Sequence, residues 1–325
     1  MTKVFITGGA GFIGYFITKQ LIARGDEVVI YDAFINYISP LQSHYHRYLE
    51  MRLRDIKDHV QLIHSDIRYR GLLEKTLNET RPDTVIHLAA IPIASVCNHF
   101  SEDAIQINLN GTVTLLEAIR NCASVKRIVY ASSSFIYGDF QYVPADEQHP
   151  ASPIDIYGGT KLSGEILVKA FGKRFGVEYA IIRPSAVYGP TDANQRVTQK
   201  FVENALLGKP LTLHNGGLDK LDFTYVEDAA TGFVLAAFAP QAKNETFNIT
   251  RGEGRSLKEF AQILSQLVPG VTLAEQPPDE VRPSRGTLDI SKARRILGYQ
   301  PKYSLEDGLK LYVDFIRESG ILTQG

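Results

Sequence analysis

Through the first half of the chain, short apolar runs alternate with stretches in which apolar residues recur at helical spacing. The runs at 4–7, 27–31, 60–64, 84–88, 127–131 and 179–183 read as strands. The stretches at 13–23, 111–121 and 157–175 read as helices. Strand and helix in turn argue for a parallel sheet with helices on both faces. Beyond about Pro190 the alternation becomes irregular. Gly208-Lys209-Pro210, Asn215-Gly216-Gly217 and Gln276-Pro277-Pro278 punctuate this part, and its short elements are expected to form a smaller lobe over a cleft. No repeat, low-complexity tract or long linker interrupts the chain.

Ligands of such sheets bind outside the carboxyl ends of the strands. Asp32, Asp66, Ala89-Ala90 and Ser133 all fall at or just after strand ends, so their chemistry converges on one cleft. The first strand leads into Thr7-Gly8-Gly9-Ala10-Gly11-Phe12-Ile13-Gly14 and then a helix. Gly8 and Gly11 allow a tight turn and close backbone approach to a pyrophosphate, and Gly14 allows close helix-to-strand packing. The helix N-terminus adds unpaired N–H groups and a partial positive charge. A purely structural glycine turn is the alternative, but the next strand ends at Asp32, where an acid hydrogen-bonds the adenosine ribose of NAD. That carboxylate repels the extra phosphate of NADP, and no arginine lies between Asp32 and Pro40 to welcome it. NAD is therefore the expected cofactor. Asp32 as a simple loop-starting residue is the competing reading. The expected fold class is α/β, a Rossmann-like doubly wound parallel sheet with a smaller mixed α/β substrate-binding lobe.

Tyr157 and Lys161 share a helix face at i and i+4. A free tyrosine, with a pKa near ~10, is a poor base at neutral pH. A nearby ammonium favours the phenolate, which then takes a proton from a hydroxyl or returns one to a ketone. Alone, such a pair reads as a surface helix turn. Beside a dinucleotide cradle it points to transfer of a hydride and a proton at one oxygen-bearing carbon.

Net charge is −1, with 35 basic and 36 acidic residues interspersed, which argues against nucleic acid as a partner. Local basic runs such as Arg52-Leu53-Arg54 are expected to face water. Cys97 and Cys122 lack metal-ligand spacing and a disulfide framework, so no metal is expected and both read as buried thiols. No stretch approaches the ~20 apolar residues of a membrane span. With the first strand starting almost at once, no secretory signal is read, and the expected location is the cytoplasm.

The ordered set of motifs resembles the extended short-chain dehydrogenase/reductase family, and within it the NAD-dependent nucleotide-sugar epimerases and dehydratases. The resemblance runs nearly end to end. It is carried by the glycine loop, Asp66-Ile67, His87-Leu88-Ala89-Ala90 and Asn108-Leu109-Asn110-Gly111-Thr112. It continues through Tyr157 to Lys161, Val187-Tyr188-Gly189-Pro190, Asp222 to Asp228 and Asp289-Ile290-Ser291-Lys292-Ala293. The resemblance implies that Asp66 and Ile67 flank the adenine, and that Leu88, Ala89 and Ala90 give a tight path beside the cofactor. It places Asn108 near the nicotinamide, ordering the helix that bears Tyr157. Phe12 and Ile13 belong to the same cofactor set, and Lys161 also binds the nicotinamide ribose. Ser133 matches the catalytic serine or threonine. Residues 1–189, with 218–250 returning to it, become the NAD-binding domain. Residues 190–217 and 251–325 become the nucleotide-sugar-binding lobe.

Departures sharpen this reading. Dehydratases of the family carry an Asp-Glu pair where Ser134 and Phe135 stand. Decarboxylases carry a glutamate, and enzymes epimerising carbons 3 and 5 a cysteine, at the position of Phe135. Oxidation and reduction at one carbon remains, as in a 4-epimerase resembling those of UDP-glucose and UDP-glucuronate. A 4-ketoreductase or sugar dehydrogenase is the alternative, and a non-catalytic dinucleotide-sensing regulator the rival from another class. The diphosphate-binding asparagine and arginine of the epimerases are replaced by Ala186 and Leu221. Ser134, Lys220 and Arg282 are the expected substrate contacts, with Arg285 nearby. The resemblance further implies a homodimer through a four-helix bundle, filled by residues such as Leu115, Leu116, Ile166, Leu167 and Ala170.

Overall fold

The computed structural model describes residues 2–37, 44–277 and 283–322. The chain begins with β1 (Lys3–Thr7), α1 (Phe12–Arg24) and β2 (Glu27–Asp32), then α2 (Tyr45–Ile56), β3 (Val60–His64), α3 (Arg70–Thr80) and β4 (Thr84–His87). After α4 (Ala94–His99) and α5 (Ser101–Ala104), a π-helical turn at Ile105–Asn110 leads into α6 (Gly111–Arg120). Next come β5 (Arg127–Ala131), α7 (Ile156–Phe175), β6 (Glu178–Pro184) and β7 (Val187–Tyr188). The rest is α8 (Val197–Leu206), β8 (Leu211–His214), β9 (Lys220–Asp222), β10 (Thr224–Tyr225), α9 (Val226–Phe238), β11 (Glu245–Ile249), β12 (Gly254–Ser256), α10 (Leu257–Leu267), β13 (Leu273–Gln276), α11 (Ser291–Leu297) and α12 (Leu305–Ser319).

Seven strands form one sheet in the order β11-β6-β5-β4-β1-β2-β3, every neighbouring pair parallel. The order reverses between β1 and β4, which opens a crevice at their carboxyl ends, the Rossmann-like arrangement. Strand residues alternate between two cores. Val4, Ile6, Ile30, Ile86, Val129 and Ile182 pack against α1 and α9. Phe5, Val29, Val85, Ile128 and Ile181 pack against the face of α3, α6 and α7. Burial on both faces is why these strands are apolar throughout. Each such side chain, fully buried, contributes roughly 1.5–3 kcal/mol.

A third core lies beside the sheet, built from Tyr188, Phe201, Leu211, Phe223, Phe260, Leu309 and their neighbours. Tyr48 of α2 is fully buried in it, whereas Leu49, Leu53 and Ile56 of the same helix pack on the sheet core. α2 therefore straddles both bodies of the fold.

Three features differ from the sequence reading. The helix read from 111 is preceded by the π-helical turn, where Asn108 turns inward. Arg52, expected in water, is 2 % exposed, because α2 is covered on two sides. Leu115 and Leu116 are buried under their own sheet, so they do not face a partner; Ile166, by contrast, is 59 % exposed.

Candidate active site

A cleft of about 1370 Å³ runs along the carboxyl ends of the strands and under the lobe. Single small-molecule sites span roughly 300–1,000 Å³, so this one has room for two ligands. Gly8, Gly11, Phe12, Ile13 and Gly14 line one end, with Asp32, Asp66 and Ile67 beside them and Leu88, Ala89 and Ala90 next along. Ser133, Ser134, Tyr157 and Lys161 line its middle, and Lys220 lines the lobe side. Arg282 lies outside the described residues.

The glycine loop fits a dinucleotide. A Cβ on Gly8, whose φ is 73°, would come within 2.8 Å of the Ala89 backbone nitrogen, and one on Gly14 would collide with the Gly8 carbonyl. Gly11 caps α1 with no side chain, and no acid occupies the first turn, so the N–H groups there stay open to an anion. Asp32 accepts from the Ala10 and Phe34 N–H groups at 3.0 and 2.8 Å. Burial still raises its carboxyl above the usual range. Asp66 is clasped by Arg68, whose guanidinium and backbone N–H donate at 2.8–2.9 Å and pull its pKa down.

Behind this wall, Thr112 donates to the Asn108 carbonyl, so the 3.0 Å contact of His87 Nε2 with Thr112 Oγ1 makes the imidazole the donor. His87 Nδ1 then accepts from Thr7 at 2.6 Å, and Thr7 Oγ1 accepts from Ala89 N at 3.3 Å. Burial lowers the His87 pKa to about 3, so the ring stays neutral and pins the Ala89 backbone to β1. Asn108, expected among the cofactor contacts, does not line the cleft. Its amide is consumed by both backbone groups of Ile91, at 2.7 and 3.2 Å, and by Thr160 at 3.3 Å. It joins the loop after β4 to the helix carrying Tyr157.

Asp155 starts that helix, accepting from Gly158 N at 2.7 Å. Such a cap is worth about 1 kcal/mol. Tyr157 is 9 % exposed, and Phe135 meets it edge-on at 5.6 Å between ring centres. Burial raises the Tyr157 phenol; the Arg196 charge and a hydrogen bond with Ser133 pull it back down. Ser133 Oγ also accepts from Phe135 N at 3.2 Å, so it is both a cap and an active-site group. Its own proton is the one it gives to the Tyr157 phenol oxygen. Lys161 Nζ donates to the Ala131 carbonyl at 2.7 Å and lies 5.9 Å from the centre of the Tyr157 ring. Burial lowers its pKa to about 8. Arg196 thus joins Lys161 as a cation near the phenol, one that the sequence reading did not include.

Arg196 and Arg52 are the cleft residues that sequence reasoning missed. Arg196 precedes α8 and donates to the Pro92 and Val187 carbonyls at 3.2 and 3.5 Å, bridging the loop after β4 to β7. No local pattern marks either arginine. Arg285 stacks its guanidinium over Phe135 at 4.4 Å and lines the cleft. Among the described residues, no group of three or more His, Cys, Asp or Glu is placed to hold a metal, and no helix is long and apolar enough to cross a membrane. Both cysteines are free and buried.

A switch-point crevice, a glycine cradle and a Ser-Tyr-Lys cluster meet in one cleft, an arrangement suited to a dinucleotide-dependent enzyme. The model of the NAD dependent epimerase/dehydratase family matches residues 4–250, and the chain belongs to that family. A putative UDP-glucose 4-epimerase of Methanocaldococcus jannaschii is 32% identical over 97% of this chain and 99% of its own length. An uncharacterized UDP-glucose epimerase of Bacillus subtilis is 33% identical over 94% and 95%. Among solved structures, a UDP-glucuronic acid 4-epimerase from Bacillus cereus, in complex with UDP-glucuronic acid and NAD, superposes with a TM-score of 0.89 at 29% identity, covering 98% of this chain and 99% of that one. A UDP-glucose 4-epimerase from Thermotoga maritima, with UDP-glucose, gives 0.87 at 28% identity over the same shares.

Proposed function

We propose that this protein is a nucleotide-sugar 4-epimerase with tightly held NAD. The observation that carries the reading is the meeting of Ser133, Tyr157 and Lys161 in the cleft, with neutral Ser134 and Phe135 beside them. Gly8 to Gly14, Asp32, Asp66 and the Leu88-Ala89-Ala90 path hold the cofactor. NAD, when bound, supplies hydride acceptance and return. Tyr157 takes the proton from the sugar 4-hydroxyl and later gives it back to the 4-keto oxygen. Ser133 orients that oxygen with its hydroxyl proton. Lys161 contributes charge beside the phenol and binds the nicotinamide ribose. The lobe of residues 190–217 and 251–325 holds the sugar nucleotide, with Ser134, Lys220 and Arg282 as contacts.

The same three residues also serve a ketoreductase or dehydrogenase, which releases altered cofactor each turnover. A dinucleotide sensor has no use for the proton-transfer group. The test is incubation with UDP-, GDP-, CDP- and dTDP-sugars, including uronic acids, following configuration by NMR and nicotinamide absorbance together. Interconversion at carbon 4 with no net NADH is the expected result. Stoichiometric cofactor turnover moves the assignment to a reductase or dehydrogenase, and loss of water from the sugar refutes the argument from Phe135. We also propose a homodimer through α6 and α7, with exposed Ile166 and Ala170 in the interface. A monomer by light scattering at micromolar concentration rejects it.

A further inference from the structure

Arg52 stands where the cofactor wall, α2 and the lobe meet. It lines the cleft, yet it is 2 % exposed. Nη1 donates to the Thr191 carbonyl at 2.9 Å, and Nε has no partner. Thr191 follows β7 with a φ of 67°, a conformation β-branched residues rarely adopt. The charged and titratable groups facing Arg52 are Tyr45 of α2, Asp32 of β2, Asp192 of the loop after β7 and Tyr15 of α1. Asp32 is engaged by Ala10 and Phe34, and Asp192 Oδ1 by Asn194. Asp192 Oδ2 is buried without a partner.

A guanidinium offers five donors in a rigid fork. Burying it with donors unused is unfavourable, and native structures rarely tolerate this without a reason. What brings acceptors to this place is a ligand in the cleft beside Asp32 and the first turn of α1. The ribose and pyrophosphate of a dinucleotide are such acceptors, and an arginine fork suits a phosphate. We infer that Arg52 is a latch for NAD: the part of its guanidinium that lines the cleft serves the ribose–pyrophosphate half of the cofactor, and Nη1 ties that grip to the lobe through Thr191.

The mounting of α2 supports this. Tyr15 donates to Asp55 at 2.6 Å, joining α2 to α1. Arg47 donates to the Ile321 carbonyl at 3.0 Å, joining α2 to the C-terminal segment. With Tyr48 in the lobe core and Ile56 in the sheet core, the helix is held from both sides. A catalyst that returns the hydride it removes must keep its cofactor between the two steps, and a latch shared with the lobe does so. The inference rests on the reading that the glycine loop and Asp32 hold NAD.

The experiment is calorimetric titration of NAD, ADP-ribose and UDP into wild type, Arg52→Met and Asp32→Ala, with thermal melts to check folding. Arg52→Met should weaken NAD and ADP-ribose by about tenfold or more, as loss of a charge-assisted hydrogen bond implies. UDP binding to cofactor-free protein should be unchanged, and NAD should be lost faster on gel filtration. Arg52→Lys, which keeps the charge without the fork, should fall between. If Arg52→Met melts without a cooperative transition, Arg52→Gln takes its place under the same criteria. A folded variant binding ADP-ribose within about twofold of wild type overturns the latch. If Asp32→Ala also binds like wild type, the cofactor reading fails with it; if Asp32→Ala is weakened and Arg52→Met is not, the latch alone fails.

Discussion

On the sheet side of the cleft, the cradle is largely backbone: the N–H groups of the first turn of α1 and the Leu88-Ala89-Ala90 path, with the Asp32 carboxylate at the end of β2 beside them. On the lobe side the groups are side chains carried by separate segments: Arg196 before α8, Lys220 on β9 and Arg285 before α11. A backbone cradle depends on several glycines at once, since a single Cβ on Gly8 or Gly14 meets backbone that cannot move aside. A side chain is exchanged alone, and a neighbour from elsewhere in the chain can take over its contact. In the proposed assignment the cofactor wall has its glycine motif complete, whereas the substrate wall carries Ala186 and Leu221 where the resemblance implies a polar pair.

The largest effect should come from the group between the walls. Tyr157→Phe is expected to lower kcat by about 10²–10⁴-fold, the usual contribution of a general acid–base group, with NAD affinity little changed. Wild-type turnover by this variant removes Tyr157 from the mechanism.

Lys161 comes next. Its pKa is lowered from 10.5 to about 8 by burial, so the folded state is penalised wherever the ammonium persists. The stability contribution of this group is complete above 10.5 and is lost as pH falls through about 8. Lys161→Met removes the penalty but strands the Ala131 carbonyl. As pH rises through that window, the stability difference should therefore move in favour of wild type by at most about 3 kcal/mol. Denaturant melts at several pH values check it, and a pH-independent difference contradicts it.

The two walls are compared directly by one substitution on each. Gly14→Ala should cost about 1–3 kcal/mol of stability through overpacking and should abolish saturable NAD binding. Lys220→Ala, at the exposed end of β9, should raise KM for the nucleotide sugar by a few-fold, about 0.5–1 kcal/mol, and leave NAD affinity alone. Comparable losses of NAD affinity in both variants would erase the distinction between the walls.

The six strands and the three helices read from the sequence are present with every boundary within one residue, because buried parallel strands and long helices carry their period locally. The cleft residues from Gly8 to Lys161 were legible for the same reason, as each sits at a strand end or on a helix face. Arg52 was read as solvated surface because its neighbours in sequence are charged; its burial comes from the lobe, far along the chain. Arg196 has no periodic or motif signal, and its place near Tyr157 is set by its hydrogen bonds to the loop after β4 and to β7. The resemblance implies that Asn108 lies near the nicotinamide and orders the Tyr157 helix; its bonds to Ile91 and Thr160 fit the second role and keep it out of the cleft lining. The inward burial of Leu115 and Leu116 was hidden because an apolar pair on a helix does not say which of two surfaces it meets.

The central claim is that the hydrogen removed from the sugar is the hydrogen returned. It is tested most directly with a nucleotide sugar deuterated at carbon 4, incubated with the enzyme in ordinary water and followed by NMR. The account predicts that the 4-epimer appears with deuterium still at carbon 4 and without accumulation of reduced cofactor. Epimerisation with washout of the label, or label collected in free NADH beside a keto sugar, contradicts it.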